Sequence, residues 1–298
     1  MSHQVFKKMK KYLAILSSIL IITSCDVEEG PFITNYDSYV NPEKKVLIED
    51  FTGHLCPNCP DAARELDAIH DIYGDQIIGM AIHVSKSFAR PYPASQAPSF
   101  QYDFRTQWGD NWDDFYGISA MGLPRGMVNR IGFPDNHKLG KDEWASAVAL
   151  ELKKDVDFTI QISSDENSIS ITSEVKNNIS SEYNLVVCLT ESNIINWQKD
   201  GQDNIEDYQH NHVLRTVLID EELSNSSNYV AGQQIETLIN YDLTSLEQFN
   251  IDYSTNNTAE LGNGNAGDWN ASNMSIIAYI YNSNTKEIVQ VEESHLNN

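Results

Sequence analysis

The sequence predicts a mixed fold, an α/β half followed by an all-β half of immunoglobulin-like β-sandwich type, and three observations carry this. Cys56-Pro57-Asn58-Cys59 lies between the apolar run Val46-Leu47-Ile48 and a helical pattern running from Asp61 to Tyr73. Across residues 45–154 strand-like and helix-like patterns alternate, which implies a sheet covered by helices. From Asp155 the rhythm becomes apolar–polar alternation without intervening helices, as in packed antiparallel sheets. At 298 residues the chain is long enough for two cores, placed at 45–154 and 155–298.

The N-terminus carries an address. Lys7, Lys8, Lys10 and Lys11 precede an apolar stretch from Tyr12 to Ile22 that ends in Thr23-Ser24-Cys25. A basic start, a short apolar core and small residues before a cut describe a secretory signal over residues 1–24, too short to span a membrane. Met9 begins an equally good signal. The small-small-Cys ending resembles a bacterial lipobox, which implies that Cys25 becomes the acylated first residue of the mature chain and ties it to the membrane. Asp26-Val27-Glu28-Glu29 resembles the surface-export signals of Bacteroidetes lipoproteins, with a solvated charge run as the alternative. Residues 25–44 hold Gly30-Pro31 and Asn41-Pro42 with no sustained period and read as a tether. The net charge is −23, and cleavage before Cys25 removes four lysines and no acids. No basic patch is left to hold phosphates, which argues against nucleic acid as a partner.

In the first half, Ala62, Leu66, Ile69 and Tyr73 form one stripe with Gly74 as a stop. Ile77 to Val84 reads as a buried strand, and Glu143 to Lys154 as a closing helix with Trp144, Val148 and Leu152 inward. Residues 85–115 carry Phe88, Tyr92, Phe100, Tyr102, Phe104, Trp108, Trp112 and Phe115. These rings either form a rim that binds an apolar peptide or close a satellite core, and the packing that a long loop needs favours the core. In the second half, Val156 to Ile162 and Ile169 to Val175 alternate as strands. Met274 to Tyr281 and Ile288 to Val291 form a hairpin around Asn282-Ser283-Asn284-Thr285. Asn256 to Asn273 reads as a long loop. Cys188, inside Leu185 to Thr190, reads as a small hydrophobe in a buried strand.

The chemistry centres on Cys56 and Cys59. A Cys-x-x-Cys where a strand feeds a helix is the arrangement of thiol–disulfide exchange, with an exposed Cys56 expected at the helix N-terminus, where N–H groups and the dipole favour its thiolate. A structural disulfide or half of a zinc site is the alternative, but no second Cys-x-x-Cys is present. The segment from Asp50 to Cys59 resembles the active-site segment of thioredoxin-fold proteins. That resemblance implies a buried Asp50 that accepts the proton of a resolving Cys59, while Cys56 attacks. Tyr116 to Pro124 resembles the stretch before the cis-proline of the same family, which implies that Leu123 and Pro124 shape a peptide-binding edge. Arg125-Gly126 departs from the usual apolar strand start. Asp50 leans toward a reductant, whereas Pro57 resembles oxidising enzymes.

Together with Cys25 and the stretch from Tyr208 to Arg215, these features are similar to the 28-kilodalton outer-membrane lipoprotein family of Bacteroidetes. The implied partners are protein thiols or disulfides in the cell envelope, and the implied location is the outer membrane, facing the periplasm or the cell surface. A surface receptor or adhesin that keeps the fold without needing its chemistry is the alternative. His210 and His212 would project from one face of a strand, and His54 and His83 fall near the sulfurs, but these sets do not define a metal site. Asp110, Asp113 and Asp114 resemble a calcium loop in composition only. No cofactor fingerprint is present.

Overall fold

The computed structural model describes residues 40–297; the signal, Cys25 and the tether as far as residue 39 lie outside the described residues. The strands of the first half are β1 (Val46–Thr52), β2 (Ile77–His83) and β3 (Arg125–Val128), and its helices are α1 (Cys59–Tyr73), α2 (Gln107–Tyr116) and α3 (Lys141–Glu151). The second half holds β4 (Phe158–Asp165), β5 (Ser168–Val175), β6 (Ile179–Ser180), β7 (Tyr183–Glu191), β8 (Ile194–Asp200), β9 (Asp203–His210) and β10 (Val213–Glu222). It continues with β11 (Asn228–Tyr229), β12 (Gln234–Asn240), the helix α4 (Leu243–Asn256), β13 (Met274–Asn282) and β14 (Ile288–His295).

The expected elements form where the pattern puts them, but the second half, expected to be strands without helices, also holds α4 (Leu243–Asn256), capped by Asp242, whose side chain accepts from the Thr244 N–H. Helix α1 buries Ala62, Leu66 and Ile69 and ends at Gly74, whose φ of 58° suits glycine at a helix stop. Helix α2 is capped by Thr106, whose hydroxyl accepts from the Gly109 N–H. Gly126 is the residue that lets β3 lie under α3: a Cβ there would meet Glu49 O at 2.6 Å and Trp144 Cζ2 at 2.7 Å. The departure from an apolar strand start at this point is therefore a packing requirement of fully buried Trp144.

The arrangement of the two halves differs from the expectation of separate cores at 45–154 and 155–298. A single seven-stranded sheet runs in the order β14-β13-β7-β10-β2-β1-β3. Strand β2 lies parallel to β1, and its other edge takes β10 at Val213↔Ala81, joined by a bond from the Ala81 N–H to His212 O. An α/β unit of this size leaves a strand edge that has to be covered, and here the second half covers it. Sequence alternation counts elements but does not say which edges pair. Residues 40–297 accordingly belong to one compact unit.

One face of this sheet is covered at the first-half end by α1 and α3, through Val46, Ile48, Leu66, Ile69, Trp144 and Val148. At the other end the three-stranded sheet β12-β5-β4 covers the same face, packing Phe158, Ile160, Ile169 and Ile171 against Leu185, Val187, Ile276 and Ala278. The opposite face mixes both halves in one core, where Leu47, Phe51 and Met80 cluster with Val186, Cys188, Ile277 and Tyr279. Cys188 is buried there as expected. Residues 40–44 are not tether: Asn41 N–H bonds Leu152 O, and Lys44, 1 % exposed, reaches Val289 O with its ammonium. Among the described residues no helix is long and apolar enough to cross a membrane.

Candidate functional site

Strand β1 delivers the chain to the cysteines through Gly53, where a Cβ would sit 2.3 Å from Phe88 O. Leu55 N–H bonds the same Phe88 carbonyl, so the loop after β2 sits directly on the Cys segment. Cys56 and Cys59 form a disulfide, with their Cα atoms 5.4 Å apart. Helix α1 starts at Cys59 with Asn58 as its cap residue, so Cys56 stands in the turn ahead of the helix, its N–H bonded to Gly53 O.

This corrects the expectation of an exposed Cys56 at a helix N-terminus. Cys56 is only 1 % exposed and Cys59 only 2 %. The cover is the β8–β9 hairpin from the second half. Lys199 N–H bonds His54 O, Gly201 N–H bonds Pro57 O, and the Gln198 amide donates to Cys56 O at 3.2 Å and Lys199 O at 2.8 Å. At the rim, Arg64 of α1 pairs with Asp200 at 3.0 Å. The hairpin was legible in part, since Asp200-Gly201 is a turn dipeptide and Gly201 has a φ of 59°. Nothing in the sequence says that it lies on the cysteines.

Asp50 is buried in β1 and, with Cys59, lines a cavity of about 40 Å³. Burial pushes its carboxyl up to about 7. Its Oδ1 has no hydrogen-bond partner among the described residues. The same cavity is lined by Thr52, His83, Gln198, Tyr208 and His210. His54, His83 and His210 surround Phe104, with ring centroids 5.7, 4.6 and 4.6 Å from it. Burial holds the three imidazoles neutral, lowering His54 to about 4, His210 to about 3 and His83 well below its ordinary value. His54 also bonds Arg90 O through Nε2 at 2.9 Å.

His210 and His212 do not share a strand face. His210 ends β9 and is buried, whereas His212 occupies the turn before β10 with a φ of 56°. Among the described residues no group of three or more His, Cys, Asp or Glu side chains is placed to hold a metal ion. Asp110, Asp113 and Asp114 lie on α2, where Asp110 accepts from the Tyr253 hydroxyl and Asp113 from the Ser119 N–H.

The Leu123–Pro124 peptide bond is cis, and Leu123 is buried in the same core as both cysteines while Pro124 is half-buried. Of the aromatic segment, Tyr102 and Phe104 close a small cluster with Val213, Trp112 joins the main core, and Phe115 stays exposed. Tyr92 lines an open groove of about 430 Å³ with Pro57, Lys199 and Gly201.

A search of curated proteins finds no match. Among solved structures, HBP35 of Porphyromonas gingivalis is similar at a TM-score of 0.55 and 14% identity, over 85% of this chain and 76% of that one. A structural-genomics protein of Agrobacterium tumefaciens is similar at a TM-score of 0.50 and 12% identity, over 86% of this chain and 95% of that one. At these identities the likeness concerns the fold alone. A domain of the outer membrane lipoprotein Omp28 from Porphyromonas gingivalis overlaps 48% of this chain and 91% of its own at a TM-score of 0.25 and 16% identity, too loose a superposition to bear on the fold. The family described as outer membrane protein Omp28 matches residues 110–298, starting downstream of the cysteines. With more than half of its length so matched, the chain belongs to the Omp28 outer membrane protein family, and its address is that of an outer-membrane lipoprotein.

Proposed function

We propose that this chain is a lipid-anchored thiol–disulfide oxidoreductase of the cell envelope, working through Cys56 and Cys59 on a thioredoxin-like unit made of β1, α1, β2, β3 and α3. Parallel β1 and β2, antiparallel β3 and helices on one face support that reading of the unit. The two packed sheets of the second half support its reading as an immunoglobulin-like β-sandwich joined to that unit edge to edge. Acylation at Cys25 would supply the anchor.

The observation that carries the proposal is Asp50, a buried carboxyl titrating near neutrality in the same cavity as Cys59. A buried acid without a pairing cation is costly for a fold to keep, and perturbed groups of this kind concentrate where protons are moved. In the reducing direction, the Cys56 thiolate attacks one sulfur of a client disulfide, and the other client sulfur leaves as a thiolate that takes a proton from water. Cys59 then gives its proton to Asp50, its sulfur bonds to that of Cys56, and the first client sulfur departs with the electron pair of the broken bond. The groove beside Pro57, Tyr92 and Lys199 offers a client segment a place next to the motif.

Removing the resolving thiol tests this. Cys59→Ala, expressed in its own cell envelope, should accumulate mixed disulfides through Cys56 that dissolve in reductant and disappear in the Cys56/Cys59 double variant. An empty trap, with partners still bound by the double variant, would replace this reading with a second one, an outer-membrane binding protein that acts as receptor or adhesin. Two observations favour that second reading: Cys56 is 1 % exposed, and the family match leaves the cysteines out.

A further inference from the structure

The cavity under Cys59 is lined by residues from both halves of the chain, and three of them carry unsatisfied polar atoms. Asp50 Oδ1, His83 Nδ1 and His210 Nε2 have no hydrogen-bond partner among the described residues. Buried polar atoms are nearly always paired, with protein or with ordered water. The space of about 40 Å³ that these residues line exceeds the roughly 10–15 Å³ that one water needs. Burial holds the His210 ring neutral, and its Nε2 is buried without a partner among the described residues. In the tautomer protonated on Nδ1, Nε2 is an acceptor. An ionised Asp50 is also only an acceptor, so the two cannot bond each other and need a donor between them.

We propose that His210 is a positioning residue for the dithiol reaction, holding a water that bridges Asp50 and Cys59. This rests on the exchange reading above. The water donates one hydrogen to Asp50 Oδ1 and the other to His210 Nε2, which leaves its oxygen free to accept from the Cys59 thiol. During resolution the Cys59 proton passes to the water as the water passes one of its own to Asp50. The thiolate so formed makes the bond to the Cys56 sulfur, and the client sulfur leaves with the electrons of its broken bond. Charge and protons balance, because Asp50 ends neutral and the water unchanged. The β8–β9 hairpin thus covers the disulfide and also completes the site.

The test uses the full-length protein and two substitutions, His210→Phe and His210→Gln. Phenylalanine preserves the ring packing on Phe104 but has no acceptor, whereas the glutamine carbonyl restores one. Besides Asp50 and Cys59, the titratable and charged groups facing the cavity and the His210 ring are His54, His83, Tyr208 and Arg215, and all are left intact. His210→Phe should slow resolution of a Cys56 mixed disulfide by about tenfold while leaving the initial attack by Cys56 unchanged, and His210→Gln should recover most of the loss. Carbon-13 NMR of the Asp50 carboxyl in the reduced protein supplies a readout that needs no turnover. Its midpoint should rise by about one pH unit in His210→Phe, since the carboxylate loses a donor. An unmoved Asp50 midpoint overturns the proposal. Should the wild-type protein fail to exchange with a peptide disulfide at all, the enzyme reading falls, and the Asp50 titration alone then decides whether His210 holds the water.

Discussion

Asp50 shows how one buried group sets a pH dependence. Its folded pKa of about 7 lies above the ordinary 3.8, so the native state binds more protons than the unfolded chain between those values. Stability contributed by its protonated form is complete below about pH 4 and is lost as pH rises through 7, a gap worth roughly 4 kcal/mol. Asp50→Asn should therefore gain stability over the wild type as pH rises from 4 to 8, read as the difference in chemical-denaturation midpoints. A difference that stays flat with pH would show that Asp50 is not the titrating group. The histidines act in the opposite sense. His54 and His210 are held neutral by burial, at about 4 and about 3, so their contribution is present above about pH 6.5 and is lost as pH falls toward those values.

At the scale of elements, the β8–β9 hairpin decides how accessible the disulfide is. Its hold on the Cys segment is mostly backbone, from Lys199 and Gly201, with Gln198 adding the side-chain amide that reaches Cys56 O. The Arg64–Asp200 pair is about half-exposed on the arginine side and adds little, about 0–1 kcal/mol. Gln198→Ala removes the donor to Cys56 O and should loosen the hairpin by about 1 kcal/mol, which corresponds to roughly fivefold faster reduction by a small thiol reductant. The measurement is the rate of disulfide reduction under native conditions. An unchanged rate would mean that the sulfurs are reached by a route that does not involve this hairpin.

For the whole molecule, the shared sheet makes the halves interdependent. Buried Arg130 pairs with Glu49 of β1 and also donates to the hydroxyl of Tyr279 on β13, while Ile288 N–H bonds Asn129 O. Leu47, Phe51 and Met80 of the first half have their cover in Val186, Cys188, Ile277 and Tyr279 of the second. Calorimetry of the protein should show one cooperative transition, and a chain ending at residue 154 should fail to fold because that apolar face and the free edge of β2 would be left in water. Two separated transitions, or a stable 1–154 fragment with native circular dichroism, would restore the picture of independent domains.

The sequence by itself determined the local structure and the address. Period and stop signals placed α1, β2, β4, β5 and the β13–β14 hairpin, because side-chain periodicity reports which face of an element is apolar. The resemblance of the Asp50-to-Cys59 segment to thioredoxin-fold active sites implied an acid buried beneath the cysteine pair, and the family match agrees with the outer-membrane lipoprotein address. Only the tertiary structure decided that β10 joins β2, that the β8–β9 hairpin buries Cys56, and that His83 and His210 share a cavity with Asp50. Those facts depend on which strand edges meet. Backbone hydrogen bonding between edges is almost blind to side-chain identity, so contacts between residues such as Gln198 and Cys56, far apart in the chain, leave little trace in local pattern.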